Sequence, residues 1–441
     1  SIEMKKFIDE FEAKSEPCYE NQRLLYLLKR SYFRETCIPT SLVKDFAQTI
    51  SLANESWIHA RTYNAYHDFA PLLAKVIQLQ KRRAGLIKDA LHLDGTLYNV
   101  LLDENEPKMN ESKLDNIFDE LRTAIVPMIP VIMEKQNKLD ERFLQKTYPL
   151  DIQKKCNHEI AQKIGFDFSR GVLAESAHPF SMGINPFDVR ITTRFKQNDF
   201  TYSLFSTIHE TGHALYEQGL PADYIPTPLA LYASMGIHES QSLFFEDVIG
   251  RSRFFLTAIF PMLQSHYPTL SHISPDEFYQ RINFVEPGYI RTDADEVTYS
   301  LHVIIRYQIE KYLFNEPNHD IHSLPKLWND KYKKYLRVDV PNDSVGILQD
   351  IHWSGGAFGY FPSYVLGKLY SAQLWETLIH ESPQAESMIS SGDFTYIRHW
   401  LLNQIHSAGN LYHPEELIKK ATGKPLSTQS FLNYLQKKYI R

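Results

Sequence analysis

From Leu42 onward, apolar residues return every three or four positions. Leu42, Val43, Phe46, Ala47, Ile50 and Trp57 follow Pro39 and Thr40 at that spacing, which predicts an amphipathic helix with these side chains on its core face. Pro71 stands where a first-turn proline is tolerated, ahead of Leu72, Leu73, Val76 and Ile77. Leu114, Ile117, Phe118 and Leu121 repeat the period. Thr292 with Asp293, Asp295 and Glu296 reads as a capped, acid-rich helix start before Val297, Leu301, Ile304, Ile305 and Leu313. The pattern changes over residues 165–200, where glycines, prolines and the alternation Asp188-Val189-Arg190-Ile191-Thr192-Thr193-Arg194 predict short strands. No long Gly/Ser linker, low-complexity tract or internal repeat breaks the chain. The expected fold is mainly α: one large helical body, residues 1–441 as a single domain, interrupted by a small β-sheet.

Composition narrows the function classes. The chain of 441 residues carries 47 Lys+Arg against 53 Asp+Glu, a formal net charge of −6. That balance offers no broad basic field for nucleic acid and no charge excess of the kind that keeps a chain unfolded. No uncharged apolar run reaches the length of a membrane-spanning helix. Cys18, Cys37 and Cys156 are scattered and odd in number, fitting neither a disulfide framework nor a paired-cysteine metal site. They read as reduced thiols of a cytoplasmic protein.

The sharpest chemical signal is His209-Glu210-Thr211-Gly212-His213. Asn198 or Asp199 can cap a helix running through it, and Gly219 can end that helix. Positions four apart share a helix face, so the two imidazoles can bind one Zn²⁺ while Glu210 projects beside the metal. There Glu210 can take a proton from the attacking water, whose pKa such a metal lowers toward ~7. Two helix histidines making ordinary hydrogen bonds are the plain alternative. A third ligand would weaken it. Glu239, in Gly236-Ile237-His238-Glu239-Ser240-Gln241-Ser242, lies 26 residues past His213, far enough for the chain to turn and send a second helix back. Glu246 and Asp247 are rivals by position.

Taken together, the motifs resemble those of the M32 metallocarboxypeptidases, the carboxypeptidase Taq type. In order stand His178-Pro179-Phe180, Asp188-Val189-Arg190-Ile191-Thr192, the HExxH, and His238-Glu239-Ser240-Gln241. Ile290-Arg291-Thr292-Asp293-Ala294-Asp295 and Gly346-Ile347-Leu348-Gln349-Asp350-Ile351-His352-Trp353-Ser354 follow. The likeness runs from about Pro39 to Ala421-Thr422-Gly423, with an N-terminal part shorter than the family's. The resemblance implies a helical, gluzincin-like HExxH zincin with a deep central groove and the small sheet beside the metal site. It further implies Zn²⁺ held by His209, His213 and Glu239, release of C-terminal residues from peptides one at a time, and a homodimer. Co²⁺ or Mn²⁺ would suit the same ligands.

The remaining roles follow from what an exopeptidase needs. A free carboxylate calls for a fixed guanidinium: Arg291 is the first choice, with a surface arginine pairing Asp293 or Asp295 as the plain alternative, and Arg190 is the second. The Asp188–Thr192 motif is either a groove-closing element or an ordinary edge strand. His178 positions substrate or braces the metal site. The developing oxyanion needs donors, and His352, Tyr360 and Tyr364, in a glycine-rich aromatic stretch similar to the His/Tyr loop of thimet-oligopeptidase-like enzymes, are candidates. Gly355, Gly356 and Gly359 would let that loop bend. An endo-oligopeptidase on the same chemistry and a non-catalytic helical peptide-binding scaffold are the competing functions.

Overall fold

The computed structural model describes residues 2–136 and 146–440. The chain forms two compact units: one takes it up to Met133 together with Val285–Val365, the other takes Glu134–Phe284 and everything from Leu366 on. Neither is a single run of sequence.

The first unit is helical. Two of its long helices are Thr40–Tyr63 and Tyr66–Leu91, and Leu73, Val76, Ala84 and Ile87 of the second are fully buried. The Thr40–Tyr63 helix buries Leu42, Thr49, Ala53, Trp57 and Ala60, whereas Val43 is 52 % exposed. The core stripe is therefore rotated from the expected one. It is a line of 3.6-residue period on which small Ala and Thr replace bulkier neighbours, so side-chain hydrophobicity alone misplaced it. Pro71 also differs from expectation. The helix starts a turn earlier, at Tyr66, so the proline lies inside it. The hydrogen bond it forfeits is to the carbonyl of His67, an exposed residue whose carbonyl water can serve. At the other predicted start, Arg291–Asp293 is a short 3₁₀ turn and the helix begins only at Tyr299, ending at Asn315. The Asp295 carboxylate accepts bonds from the backbone of Val297 and Thr298 and thereby satisfies the turn ahead of the helix.

The second unit holds the sheet and the HExxH segment. Strands β1 (Gly171–Glu175), β2 (Phe180–Asn185) and β3 (Asp188–Thr193) lie in the order β1-β3-β2. β1 runs parallel to β3 and β2 antiparallel to it. The Asp188–Thr192 motif is thus the central strand, not an edge. Val189 and Ile191 point inward and pack with Ala161, Phe166 and Ala214. Ala214 follows His213, so the sheet braces the HExxH helix. Among the described residues no helix is long and apolar enough to cross a membrane, and all three cysteines are free.

Candidate metal centre

The HExxH helix spans Phe200–Gly219. Asp199 caps it, accepting from the Thr201 and Tyr202 amides at 3.0 and 3.2 Å. It ends at Gly219 without a left-handed turn; Leu220 is extended, as a residue before proline tends to be. A second helix, Met235–Leu243, is capped by Ser234 and continues as a π-helical turn through Phe244–Gly250.

Two glycines let these elements meet. A Cβ on Gly212 would lie 2.4 Å from the Gln241 carbonyl oxygen and 2.6 Å from the Ser242 Cα. A Cβ on Gly367 would lie 2.7 Å from Cγ of Glu239. With no side chain at either place, the second helix crosses the first at backbone contact and Glu239 swings toward the histidines. His209, His213 and Glu239 each bring one ligand atom into a group whose members lie within 4.8 Å of one another. Glu239 Oε2 is 3.6 Å from His213 Nε2.

The hydrogen bonds behind the imidazoles decide which nitrogens face this group. His209 Nδ1 donates to Glu246 at 2.8 Å, and His213 Nδ1 donates to the His238 carbonyl at 3.1 Å. In the neutral tautomers these bonds favour, Nε2 of each ring is the nitrogen available to a metal. Burial disfavours a charged His209, but the Glu246 bond and the carboxylates of Glu239, Glu246 and Glu210 push its pKa well above the ordinary value. Burial, helped by the neighbouring imidazoles, holds His213 well below its own. Glu210 is buried beside them and its Oε2 has no hydrogen-bond partner. Burial pushes its carboxyl up to about 7 against the opposing pull of His209. Two soft nitrogens, one carboxylate oxygen and an unspent buried oxygen on Glu210 fit a divalent ion with room for a reactant.

Glu246 and Asp247, the positional rivals of Glu239, are engaged elsewhere. Glu246 turns its second oxygen to Arg251 at 2.9 Å, and the Arg251 and His209 contacts hold its carboxyl far below the usual range against burial. Asp247 takes Lys368 at 2.5 Å in a buried ion pair. Sequence reasoning also missed Glu217 and His238. The His238 ring stacks on His213 with centroids 4.4 Å apart, and its Nε2 meets Glu217 at 2.8 Å. Glu217 stands four residues after His213 on the same helix face, which was the available signal.

The other predicted residues fall into two groups. In the first unit Arg291 is 7 % exposed, and it pairs with neither Asp293 nor Asp295. Its Nε and Nη2 both donate to Asp350 Oδ1 at 3.0 and 2.8 Å, and Nη1 donates to the Tyr299 hydroxyl at 2.9 Å. Fully buried Arg306 donates to the other Asp350 oxygen at 2.6 Å. Burial would raise the Asp350 carboxyl, yet the two guanidiniums hold it well below the usual range. Two buried cations thus share one carboxylate. The Arg291 guanidinium lies 5.0 Å from the ring centre of Tyr364. The Tyr364 hydroxyl meets His352 Nε2 at 3.2 Å, and the Tyr360 ring lies 5.7 Å from that of His352. His352 Nδ1 is buried without a partner. Burial brings the imidazole down to about 4, Asp350 opposing and the two arginines assisting. Arg291, His352, Tyr360 and Tyr364 therefore form one cluster. Gly356 and Gly359 both hold positive φ, and a Cβ on Gly359 would sit 2.7 Å from the Leu101 backbone, so these glycines serve the packed conformation of the loop. In the second unit, Arg190 is engaged by Asp188 through Nε and Nη2 at 3.0 and 2.9 Å on the outer sheet face. His178 stands on an exposed turn before β2, with no hydrogen bond from its imidazole to the candidate ligands.

This assembly, an HExxH helix crossed by a glutamate-bearing helix, defines a metal-dependent peptide hydrolase. The model of the carboxypeptidase Taq (M32) metallopeptidases matches residues 1–439, and the chain belongs to that family; the likeness begins well ahead of Pro39. Carboxypeptidase 1 of Bacillus subtilis is 39 % identical over 100 % of this chain and 87 % of its own length. Thermostable carboxypeptidase 1 of Thermus thermophilus is 37 % identical, over 93 % of this chain and 81 % of its own. The structure of a Pyrococcus furiosus carboxypeptidase superposes with a TM-score of 0.95 at 34 % identity, covering 99 % of this chain and 88 % of that one. The protein is a metal-dependent carboxypeptidase. Nothing in these relatives favours an endo-oligopeptidase or a scaffold.

Proposed function

We propose that this carboxypeptidase works with Zn²⁺ held by His209, His213 and Glu239, and that Glu210 is its general base. The observation that supports the reading is the pair of committed Nδ1 atoms, which leaves Nε2 as the available ring donor of each histidine in a His209–His213–Glu239 group whose ligand atoms lie within 4.8 Å of one another. A bound Zn²⁺ would acidify water and polarise the scissile carbonyl; Co²⁺ or Mn²⁺ would suit the same donors. Glu210 takes the proton of the attacking water on its free oxygen and returns it to the leaving amine. Arg291, locked by Asp350 along its Nε–Nη2 edge, keeps hydrogens on Nη1 and Nη2 for the substrate's terminal carboxylate. The Tyr360 hydroxyl and the His352–Tyr364 pair donate to the oxyanion; His352 is neutral near pH 7, so one hydrogen of that pair is spent in their mutual bond and the other is offered to the substrate. Arg190 and His178 contact the peptide further from the cut. The enzyme acts as a cytoplasmic homodimer on peptides with a free C-terminus.

Glu210→Gln should retain metal and lose nearly all turnover, and the wild type should cleave a blocked dipeptide far better than its C-terminal amide. Metal-loaded Glu210→Gln that still hydrolyses the dipeptide would refute the base assignment. Equal rates on acid and amide would remove the role of Arg291.

A further inference from the structure

Glu310 lies on the Tyr299–Asn315 helix and is fully buried. A carboxylate in that position has to be fully bonded or it destabilises the fold. It accepts the Trp353 indole N–H at 2.7 Å on one oxygen, and the Gly359 amide at 2.8 Å and the Tyr98 hydroxyl at 2.7 Å on the other. Burial raises its carboxyl to about 7, against these three bonds and the charge of Arg306 one helical turn earlier. Two of the three donors belong to the glycine-rich loop, and their places in it matter. Trp353 immediately follows His352, and Gly359 immediately precedes Tyr360. One carboxylate therefore closes the segment between these two residues. Other contacts reinforce the closure: the Gln80 side-chain amide donates to the Gly356 carbonyl, and Gly359 lies against the backbone of Leu101.

We propose that Glu310 is a positioning residue for peptide hydrolysis: by tying Trp353 to Gly359 it holds His352 beside Tyr360, and through the His352–Tyr364 hydrogen bond it orients Tyr364 as well. Glu310 touches no substrate; it acts only through the loop. The proposal rests on the reading of His352, Tyr360 and Tyr364 as oxyanion donors.

The test is steady-state kinetics on a blocked dipeptide with Zn²⁺-loaded enzyme. Glu310→Gln turns an amide N–H toward at least one of the three donors. It should lower kcat roughly 10- to 100-fold, the scale of an ångström-level displacement of catalytic groups, with KM and Zn²⁺ content unchanged. Trp353→Phe keeps the carboxylate and removes one donor, so it should show the same pattern more weakly. Glu310→Gln combined with Tyr360→Phe should cost less than the product of the single losses, because both act through one loop. Full kcat in Glu310→Gln, beside impaired Tyr360→Phe and Tyr364→Phe, would overturn the positioning role alone. Full kcat in His352→Gln, Tyr360→Phe and Tyr364→Phe would overturn the oxyanion reading and this proposal with it. Should Glu310→Gln not fold, hydrogen exchange in the wild type decides. A Gly359 amide that exchanges slowly, and faster in Trp353→Phe, supports the tie; exchange as fast as in an exposed turn overturns it.

Discussion

Gly212 offers a sharp test of how the metal centre is assembled. In an isolated helix, replacing this glycine by alanine would be favourable by about 1 kcal/mol. Here the new methyl would meet the Gln241 carbonyl oxygen at 2.4 Å, where ordinary contact begins near 3.4 Å. Both obstacles are backbone atoms, so no rotamer change relieves the overlap; the Met235–Leu243 helix has to retreat by roughly 1 Å. Overpacking of this kind costs about 1–3 kcal/mol, enough to cancel the helix gain. Glu239 rides on the retreating helix. Metal–ligand bonds tolerate errors of about 0.2 Å, so a displacement several times larger should weaken Zn²⁺ binding on the order of 10- to 100-fold. Chelator competition measures the affinity, and thermal melts of metal-free and metal-loaded protein separate it from fold stability. Gly85→Ala is the control: the site is helical and a Cβ there meets nothing within 4 Å, so it should gain roughly 0.5–1 kcal/mol with Zn²⁺ affinity unchanged. If Gly212→Ala binds Zn²⁺ as tightly as the wild type and melts higher, as Gly85→Ala does, the close crossing is not what brings Glu239 into place.

Removing Glu246, the acceptor behind His209, frees that imidazole to turn. Glu246→Ala should lose about 10-fold or more in Zn²⁺ affinity by the same chelator assay, and an unchanged affinity would show that His209 is oriented by other contacts. Asp350→Asn leaves Arg291 and Arg306 buried without a carboxylate between them and should cost about 3–5 kcal/mol in urea unfolding at neutral pH. The folded-state pKa of Asp350 lies well below its ordinary 3.8, so its contribution is full above that value and drains away as pH falls from there through the folded-state pKa. The gap between wild type and variant should therefore narrow on acidification, and a gap that widened would contradict the assigned ion pairs.

The sequence made the HExxH helix and its Asp199 cap legible because both depend on spacing within one helix. The strand Asp188–Thr193 was equally visible from its alternation. The helix starts at Tyr66 and Tyr299 were not. Pro71 and the acidic run Asp293–Glu296 are local signals that suit more than one position, and packing together with solvent access chose between them. What stood furthest from view was every contact made by an absence of atoms. Gly212 and Gly367 have no side chain to advertise a role, yet they set how near Glu239 comes. Arg291 stood in a recognisable motif, but its partner Asp350 lies 59 residues away, and its neighbours Asp293 and Asp295 were the natural local guess.

Three glutamates surround the histidine pair, and position along the chain did not distinguish their tasks. Their partners do. Glu246 is bonded on one oxygen to the His209 imidazole and on the other to Arg251; a carboxylate so engaged would have to give up an ion pair to bind a metal, which suits it to a place behind His209. Glu239 faces His213 and Gly367, and burial raises its carboxyl above the ordinary value against the pull of His209, His238 and Lys368, so a cation would stabilise its charged form. Glu210 is buried with one oxygen unbonded, free to exchange a proton. In the proposed site a ligand, a brace and a base are all glutamates, and each carboxylate suits a different task because it is surrounded differently. Arg251 and His209 together hold Glu246 in its place behind the ring, on the Nδ1 side away from Glu239.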